Sequence, residues 1–176
     1  MIRYLFLGVY FIFSLVLQST ILEKWNISEV KPDLILVMIV LIGITQGKKQ
    51  GLKIGFIFGI FLDIYFGRNF GFYSLILSFC GYLSGIRTKN FNNENLVFPV
   101  VYTSIISFIS ILTNISISFI CGFDISSKLL NIYDIIFFIV FNSAFAVLLY
   151  GLFYHSLMTG FFAIKKIANK QIEGRE

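Results

Sequence analysis

The sequence predicts an all-α polytopic membrane protein, a six-transmembrane-helix bundle with its N- and C-termini in the cytoplasm. Three observations predict it. Of 176 residues, 57% are hydrophobic and 18% aromatic while only 13% are charged, where an ordinary soluble domain carries about 25%. Apolar runs close to the ~20 residues that cross ~30 Å of hydrocarbon recur along the chain. The fourteen Lys and Arg also divide unevenly between the two sides of a six-span arrangement, as the retention of basic loops in the cytoplasm requires.

The spans follow in order from apolar runs and polar breaks. The first covers about residues 4–22. It is longer than the 7–15 apolar residues of a signal peptide, and Gln18-Ser19-Thr20-Ile21 is a poor cleavage site, so it is expected to be retained. The second starts after Lys31-Pro32 and reaches about residue 45. Proline lacks the amide that a helix start leaves unpaired, and Asp33 behind it faces the positive helix end as a cap. The third covers residues 51–66 and the fourth residues 70–86, a hairpin closed by Gly67-Arg68-Asn69-Phe70-Gly71. The fifth runs over residues 96–121. The sixth, residues 133–163, is long enough to tilt or to continue beyond the membrane. Residues 1–164 then make one transmembrane domain and residues 165–176 a short basic cytoplasmic tail.

Charge placement tests this count independently. One side receives Arg3, Lys48, Lys49, Lys53, Arg87, Lys89, Lys165, Lys166, Lys170 and Arg175; the other keeps Lys24, Lys31, Arg68 and Lys128. Ten against four assigns the first side to the cytoplasm. The net charge of +5 is explained by this orientation and by anionic lipid at the inner face. Membrane lipid is therefore an expected partner, and nucleic acid is not.

Several function classes lose their residues. Cys80 and Cys121 lie at different depths, and with the single His155 they make no metal-ligand spacing, so neither metal nor cofactor is expected. A two-carboxylate intramembrane protease needs a second buried acid. Asp63 is the only one well inside an apolar run, with Asp33 and Asp134 at span ends. A serine hydrolase would need His155 beside Ser78, Ser107 or Ser110, none of which sits in a nucleophile motif. No metalloprotease, phosphate-loop or dinucleotide fingerprint occurs. The sequence does not predict an enzyme.

It does supply helix-packing chemistry. Gly51, Gly55 and Gly59 recur every four residues along the third span, Asp63 continues their stripe, and Gly81 and Gly85 repeat the pattern in the fourth. Small residues let helix backbones approach closely. The fifth span carries Thr103, Ser107, Ser110, Asn114 and Ser118 at helical spacing, and the sixth Asn142, Ala146 and Tyr150. These stripes read either as internal glue, at about 0.6 kcal/mol per interhelical hydrogen bond, or as the lining of a polar cavity. Asp63 lies about 18 Å along its helix at 1.5 Å per residue, in the outer half. Insertion of a carboxylate at mid-helix costs roughly 2.5–3.5 kcal/mol. It calls for a partner: Arg68, a backbone amide or a neighbouring tyrosine. The expectation is a structural junction, not a proton donor or metal ligand.

In sequence order these residues resemble the rod shape-determining protein MreD family of bacteria. The shared signatures are Leu17-Gln18-Ser19-Thr20, Pro32-Asp33-Leu34, Gly55-Phe56 with Gly59, Leu62-Asp63, Gly67, Gly71 and Gly81-Tyr82-Leu83. The layout is similar over the whole chain, and the motifs are specific over residues 32–86. The resemblance implies a fold similar to the substrate-binding subunits of energy-coupling-factor transporters. It also implies a non-enzymatic scaffold of lateral-wall elongation in the bacterial inner membrane. Its implied partner is MreC, and through it the MreB filament, the RodA glycosyltransferase and a class-B transpeptidase; a second copy of the chain is a further candidate. A vitamin-binding transporter subunit is the alternative. Such subunits often carry Ala-x-x-x-Ala in the first span, where this chain has no alanine.

Overall fold

The computed structural model describes residues 2–20, 31–66, 71–86, 97–122 and 131–153. These form α1 (Ile2–Thr20), α2 (Leu34–Gln46), α3 (Lys48–Phe66), α4 (Phe72–Ser84), α5 (Val97–Cys121) and α6 (Ile132–Phe153), with no strand among the described residues. Residues 154–163 of the expected sixth span, His155, the basic tail, Gly67 and Arg68 lie outside them.

The axis of the bundle is α2. From Leu34 to Ile44 every residue is buried, Gly43 included, a position that a helix without a polar face can occupy. It touches each of the other five helices. Val37 and Leu41 meet Ala146 and Tyr150 of α6, while Ile35, Met38 and Ile39 join the core built with α1, α3, α4 and α5. Near its C-terminal end the Thr45 hydroxyl donates to the Leu41 carbonyl at 2.7 Å.

Helices α3 and α4 form the tightest pair, and the glycine stripe is the reason. A Cβ on Gly51 would strike the Gly81 carbonyl, one on Gly55 the Leu77 carbonyl, and one on Gly59 the Ser74 backbone. Gly85 stands equally close to the Lys48 backbone, and Gly43 of α2 to Ser84 and Gly81. Three helices thus converge backbone to backbone at one end. There Gly47, at φ 91°, joins α2 to α3 as a single residue in a conformation that favours glycine. Because of that short link α3 opens at Lys48 and not at residue 51. α4 spans Phe72–Ser84, shorter than the expected 70–86, since Gly85 turns the chain against Lys48.

Helices α5 and α6 pair differently. Asn142 Nδ2 donates to Ser107 Oγ at 3.0 Å, and the Ser104 and Ser143 hydroxyls lie 2.7 Å apart. Thr103, Ser107, Ser110 and Ser118 are buried, while Val101, Ile105, Phe108, Leu112 and Phe119 face out. Val97–Cys121 and Ile132–Gly151 are long and apolar enough to cross a membrane.

Helix directions alternate. One cavity is lined by Gln18 near the end of α1, Asp33 before α2, Phe66 at the end of α3 and Tyr73 at the start of α4, together with Asn114 late in α5 and Phe138 early in α6. Consecutive helices therefore run antiparallel, and this end of the bundle is opposite the glycine convergence.

The α3–α4 seam leads to the first prediction. Gly55→Leu or Gly59→Leu should abolish membrane accumulation or lower the thermal midpoint in detergent sharply, because the side chain meets backbone that cannot yield. Ile57→Leu, on the exposed face of α3, should change neither. Equal tolerance at all three positions, read by quantitative blot and a melting curve, would place the stripe outside the packed interface.

Candidate functional site

Helix α4 starts without a cap of its own. Gly71 occupies the N-cap position at φ 94° and has no side chain to offer, yet the first amides of any helix lack intrahelical acceptors. Asp63, on α3, supplies the missing one. Its Oδ2 accepts the Gly71 amide at 3.0 Å and the Ser74 amide at 3.2 Å, and its Oδ1 accepts the Tyr73 amide at 2.8 Å. The second and third helical amides are those an N-cap side chain normally holds; here they are held from the neighbouring helix. The carboxylate also faces the positive end of the α4 dipole. Ser74 completes the turn by donating its hydroxyl to the Gly71 carbonyl at 2.9 Å. Asp63 is only 2% exposed, and its partners are backbone amides, one of the three kinds expected. Glycine at position 71 is required by conformation and not by space, since a Cβ there would meet nothing within 4 Å.

Asp33 caps α2 in the ordinary way, with Oδ1 accepting the Leu36 amide at 2.9 Å. Pro32 before it is buried. The Asp33 amide donates to Asn142 Oδ1 at 2.9 Å, and Asn142 in turn donates to Ser107. A wholly buried asparagine therefore ties the start of α2 to α6 and α5. The sequence named Asp33 as a cap and Asn142 as packing; the structure makes them one relay. The Gln18 amide of α1 also approaches the Asp33 carboxylate.

Between the two caps lies a cavity of about 220 Å³. Asp33 and Asn114 line it, and Asp63 sits beside it between the lining residues Leu62 and Phe66. Gly51, Gly55, Gly59, Gly81 and Gly85 belong to the seam described above. Both readings of the polar stripes thus find a place: Ser107 and Asn142 bond across helices, whereas Ser110 and Asn114 line the cavity. Three contributors were not singled out as site residues from sequence. Gly43 is one, although Gly43 and Gly47 repeat the four-residue spacing. Ser74, three residues after Gly71, carries the signature of a first-turn residue. Gln18 belongs to a signature but had no role. Among the described residues no group of three or more His, Cys, Asp or Glu could hold a metal. Cys80 is buried in α4 and Cys121 exposed at the end of α5. Both inward carboxylates are engaged as hydrogen-bond acceptors, so the site's chemistry is the fixing of helix starts.

The family model described as rod shape-determining protein MreD matches residues 1–159. No curated protein and no solved structure matches the chain.

The cap geometry sets an order of severity at position 63. Asp63→Leu leaves three amides without their acceptor and should lower the thermal midpoint in detergent most. Asp63→Asn keeps one acceptor oxygen but turns an NH₂ toward amide donors, so it should fall between, at about 1.5–3 kcal/mol, the usual worth of a hydrogen bond to a charged group. A Leu variant as stable as the parent would remove Asp63 from the cap.

Proposed function

We propose, since the chain belongs to the MreD family of rod shape-determining proteins, that it acts as a non-enzymatic membrane scaffold of the bacterial cell-wall elongation machinery. The match over residues 1–159 carries the reading; it makes the chain a rod-shape determinant, and together with its apolar helices a membrane protein. In the proposed role it sits in the cytoplasmic membrane, binds MreC, and through it couples MreB filaments to RodA and a class-B transpeptidase. Six spans with both termini in the cytoplasm agree with an even number of helices of alternating direction and with the ten-to-four distribution of basic residues.

The geometry suits a scaffold. Asp63 orients α4 on α3, and the Asp33–Asn142–Ser107 relay sets α5 and α6 around α2. A surface built on fixed helix starts can hold a partner helix in register without a moving part. The alternative, a vitamin-binding transporter subunit, would draw on the cavity. At about 220 Å³ it is smaller than the roughly 300–1,000 Å³ of a small-molecule site, which favours the scaffold.

Complementation of a deletion strain tests the role. The parent chain should restore rods and co-purify MreC, and Asp63→Leu at equal protein level should do neither. Rod shape with Asp63→Leu, or a parent chain that restores rods while MreC stays behind, would defeat the scaffold. The orientation is tested in a chain lacking Cys80 and Cys121. Cysteines at Lys49 and Glu176 should react with impermeant maleimide only after lysis, and one at Ser127 in intact cells. Labelling of position 176 from outside would overturn six spans.

A further inference from the structure

Every carboxylate among the described residues stands at the cavity end of the bundle: Asp33 and Asp63 at the caps, and Asp134 in the first turn of α6, one turn before the cavity-lining Phe138. The glycine end carries cations instead. Helix α3 opens there with Lys48 and Lys49 in a first turn that holds no acidic residue, and Lys53 follows one turn further in; all three are exposed. The placement is unfavourable on two counts. Cations in a first turn oppose the positive end of their helix, and Lys49 and Lys53, four residues apart, put like charges on one face. Lys48 Nζ lies over the Tyr82 ring at 5.9 Å from its centroid, a cation–π contact that carries it across the α3–α4 seam but brings no counter-charge. The same face continues into the membrane as apolar surface. Leu52 follows Lys48 by four residues and Phe56 follows Lys53 by three, spacings that make neighbours on a helix, and both are exposed, as are Phe79 and Tyr82 of α4. Lys53 lies about 7.5 Å along the axis from Lys48 at 1.5 Å per residue, a depth from which a lysine runs its stem along apolar surface and keeps its ammonium at the interface.

From this arrangement we infer that the start of α3 binds an anionic phospholipid with two phosphodiesters, of the cardiolipin kind. Its head group lies on Lys48, Lys49 and Lys53, and its acyl chains lie along Leu52, Phe56 and the adjoining face of α4. Both halves of the surface bear on the choice. A soluble polyanion would use the lysines and leave the apolar face idle; a neutral lipid would do the reverse. A single phosphodiester brings one negative charge to three ammonium groups, and a second brings the site closer to balance. Basic clusters between helices at the cytoplasmic surface take such head groups, and this end of the bundle is the one that the basic asymmetry assigns to the cytoplasm. The site narrows the expectation of membrane lipid to one head group and one place. It goes beyond the scaffold reading and does not depend on MreC.

Native mass spectrometry of the full chain released from detergent tests it. The lipids are equimolar cardiolipin, phosphatidylglycerol and phosphatidylethanolamine with identical acyl chains. Cardiolipin should be retained about fivefold over phosphatidylglycerol, as one further lysine–anion contact at a membrane surface contributes, with phosphatidylethanolamine last. Lys48→Gln, Lys49→Gln and Lys53→Gln together should level the ranking, and arginine at the same three positions should preserve it. Lys165→Gln, Lys166→Gln and Lys170→Gln together remove the same charge from the tail and should leave the ranking as it is. Survival of the ranking in the parent with millimolar pyrophosphate present would tie the site to lipid, whereas displacement would make it a site for free polyanions and defeat the lipid assignment. Equal retention of the three lipids by the parent, or a ranking unchanged in a stably folded Gln variant at positions 48, 49 and 53, would overturn the inference. If that variant does not fold, the tail variant decides: a ranking kept there supports the site on α3, and a ranking lost there removes it.

Discussion

The rest of the structure depends on one carboxylate holding the start of a helix to which it does not belong. Helix α4 cannot cap itself, because the residue in its N-cap position is a glycine whose φ of 94° forms the turn and leaves no side chain. Asp63 takes three of its amides, at 2.8, 3.0 and 3.2 Å. Hydrogen bonds to a charged group contribute about 1.5–3 kcal/mol each, so even at the low end three outweigh the roughly 2.5–3.5 kcal/mol cost of a carboxylate at membrane depth. Once α4 is pinned at its start, the glycine seam below fixes the rest of its path. Backbones that close cannot slide without collision.

A second constraint is the axial α2. In lipid, burial of an apolar helix gains little from hydrophobicity, because hydrocarbon is as apolar as leucine; dispersion and close packing must hold it. That explains why α2 has no polar face and why its attachments lie at its ends. At one end Gly43 admits α4 and Gly47 turns the chain straight into α3. At the other, Asp33 caps the helix and passes its amide to Asn142. The two ends are fixed by different means, backbone contact and hydrogen bonding, and the eleven buried residues between them need only fit.

Much of this was legible in the sequence because period and position carry it. Gly51, Gly55 and Gly59 announce a close seam through spacing alone, and Pro32-Asp33 announces a helix start through local chemistry. Asp63 stood out because a carboxylate in an apolar run needs a partner. Which partner was not legible: the Gly71, Tyr73 and Ser74 amides lie eight to eleven positions away, and sequence does not show which amides a turn leaves free. Asn142 could be read as packing, yet its bond to Asp33 spans 109 positions and depends on how α6 returns. Ser74 and Gly43 were overlooked for a related reason. Each is small and common, and gains meaning only from the helix facing it. The early start of α3 at Lys48 hid behind its lysines, which read as loop because charge and membrane burial seldom coincide.

Helix length links the caps to the cavity. Helices α2 and α4 have 13 residues each, about 20 Å at 1.5 Å per residue, against roughly 30 Å of hydrocarbon. α5 and α6, at 25 and 22 residues, are long enough to exceed that thickness. With the glycine convergence drawing the short helices together at one end, the missing length falls at the other, and their first turns begin below the level that α5 and α6 reach. Each start is given an acceptor from protein: Asp33 from its own chain position, Asp63 from across the hairpin. The same shortfall leaves a space above the two starts that the longer helices enclose. Shortening a helix inside a membrane therefore has two consequences that arrive together, a buried carboxylate and a polar cavity. The chain places both carboxylates within the region its motifs mark most densely, residues 32–86, while the cavity wall also draws on Gln18, Ser110, Asn114 and Phe138.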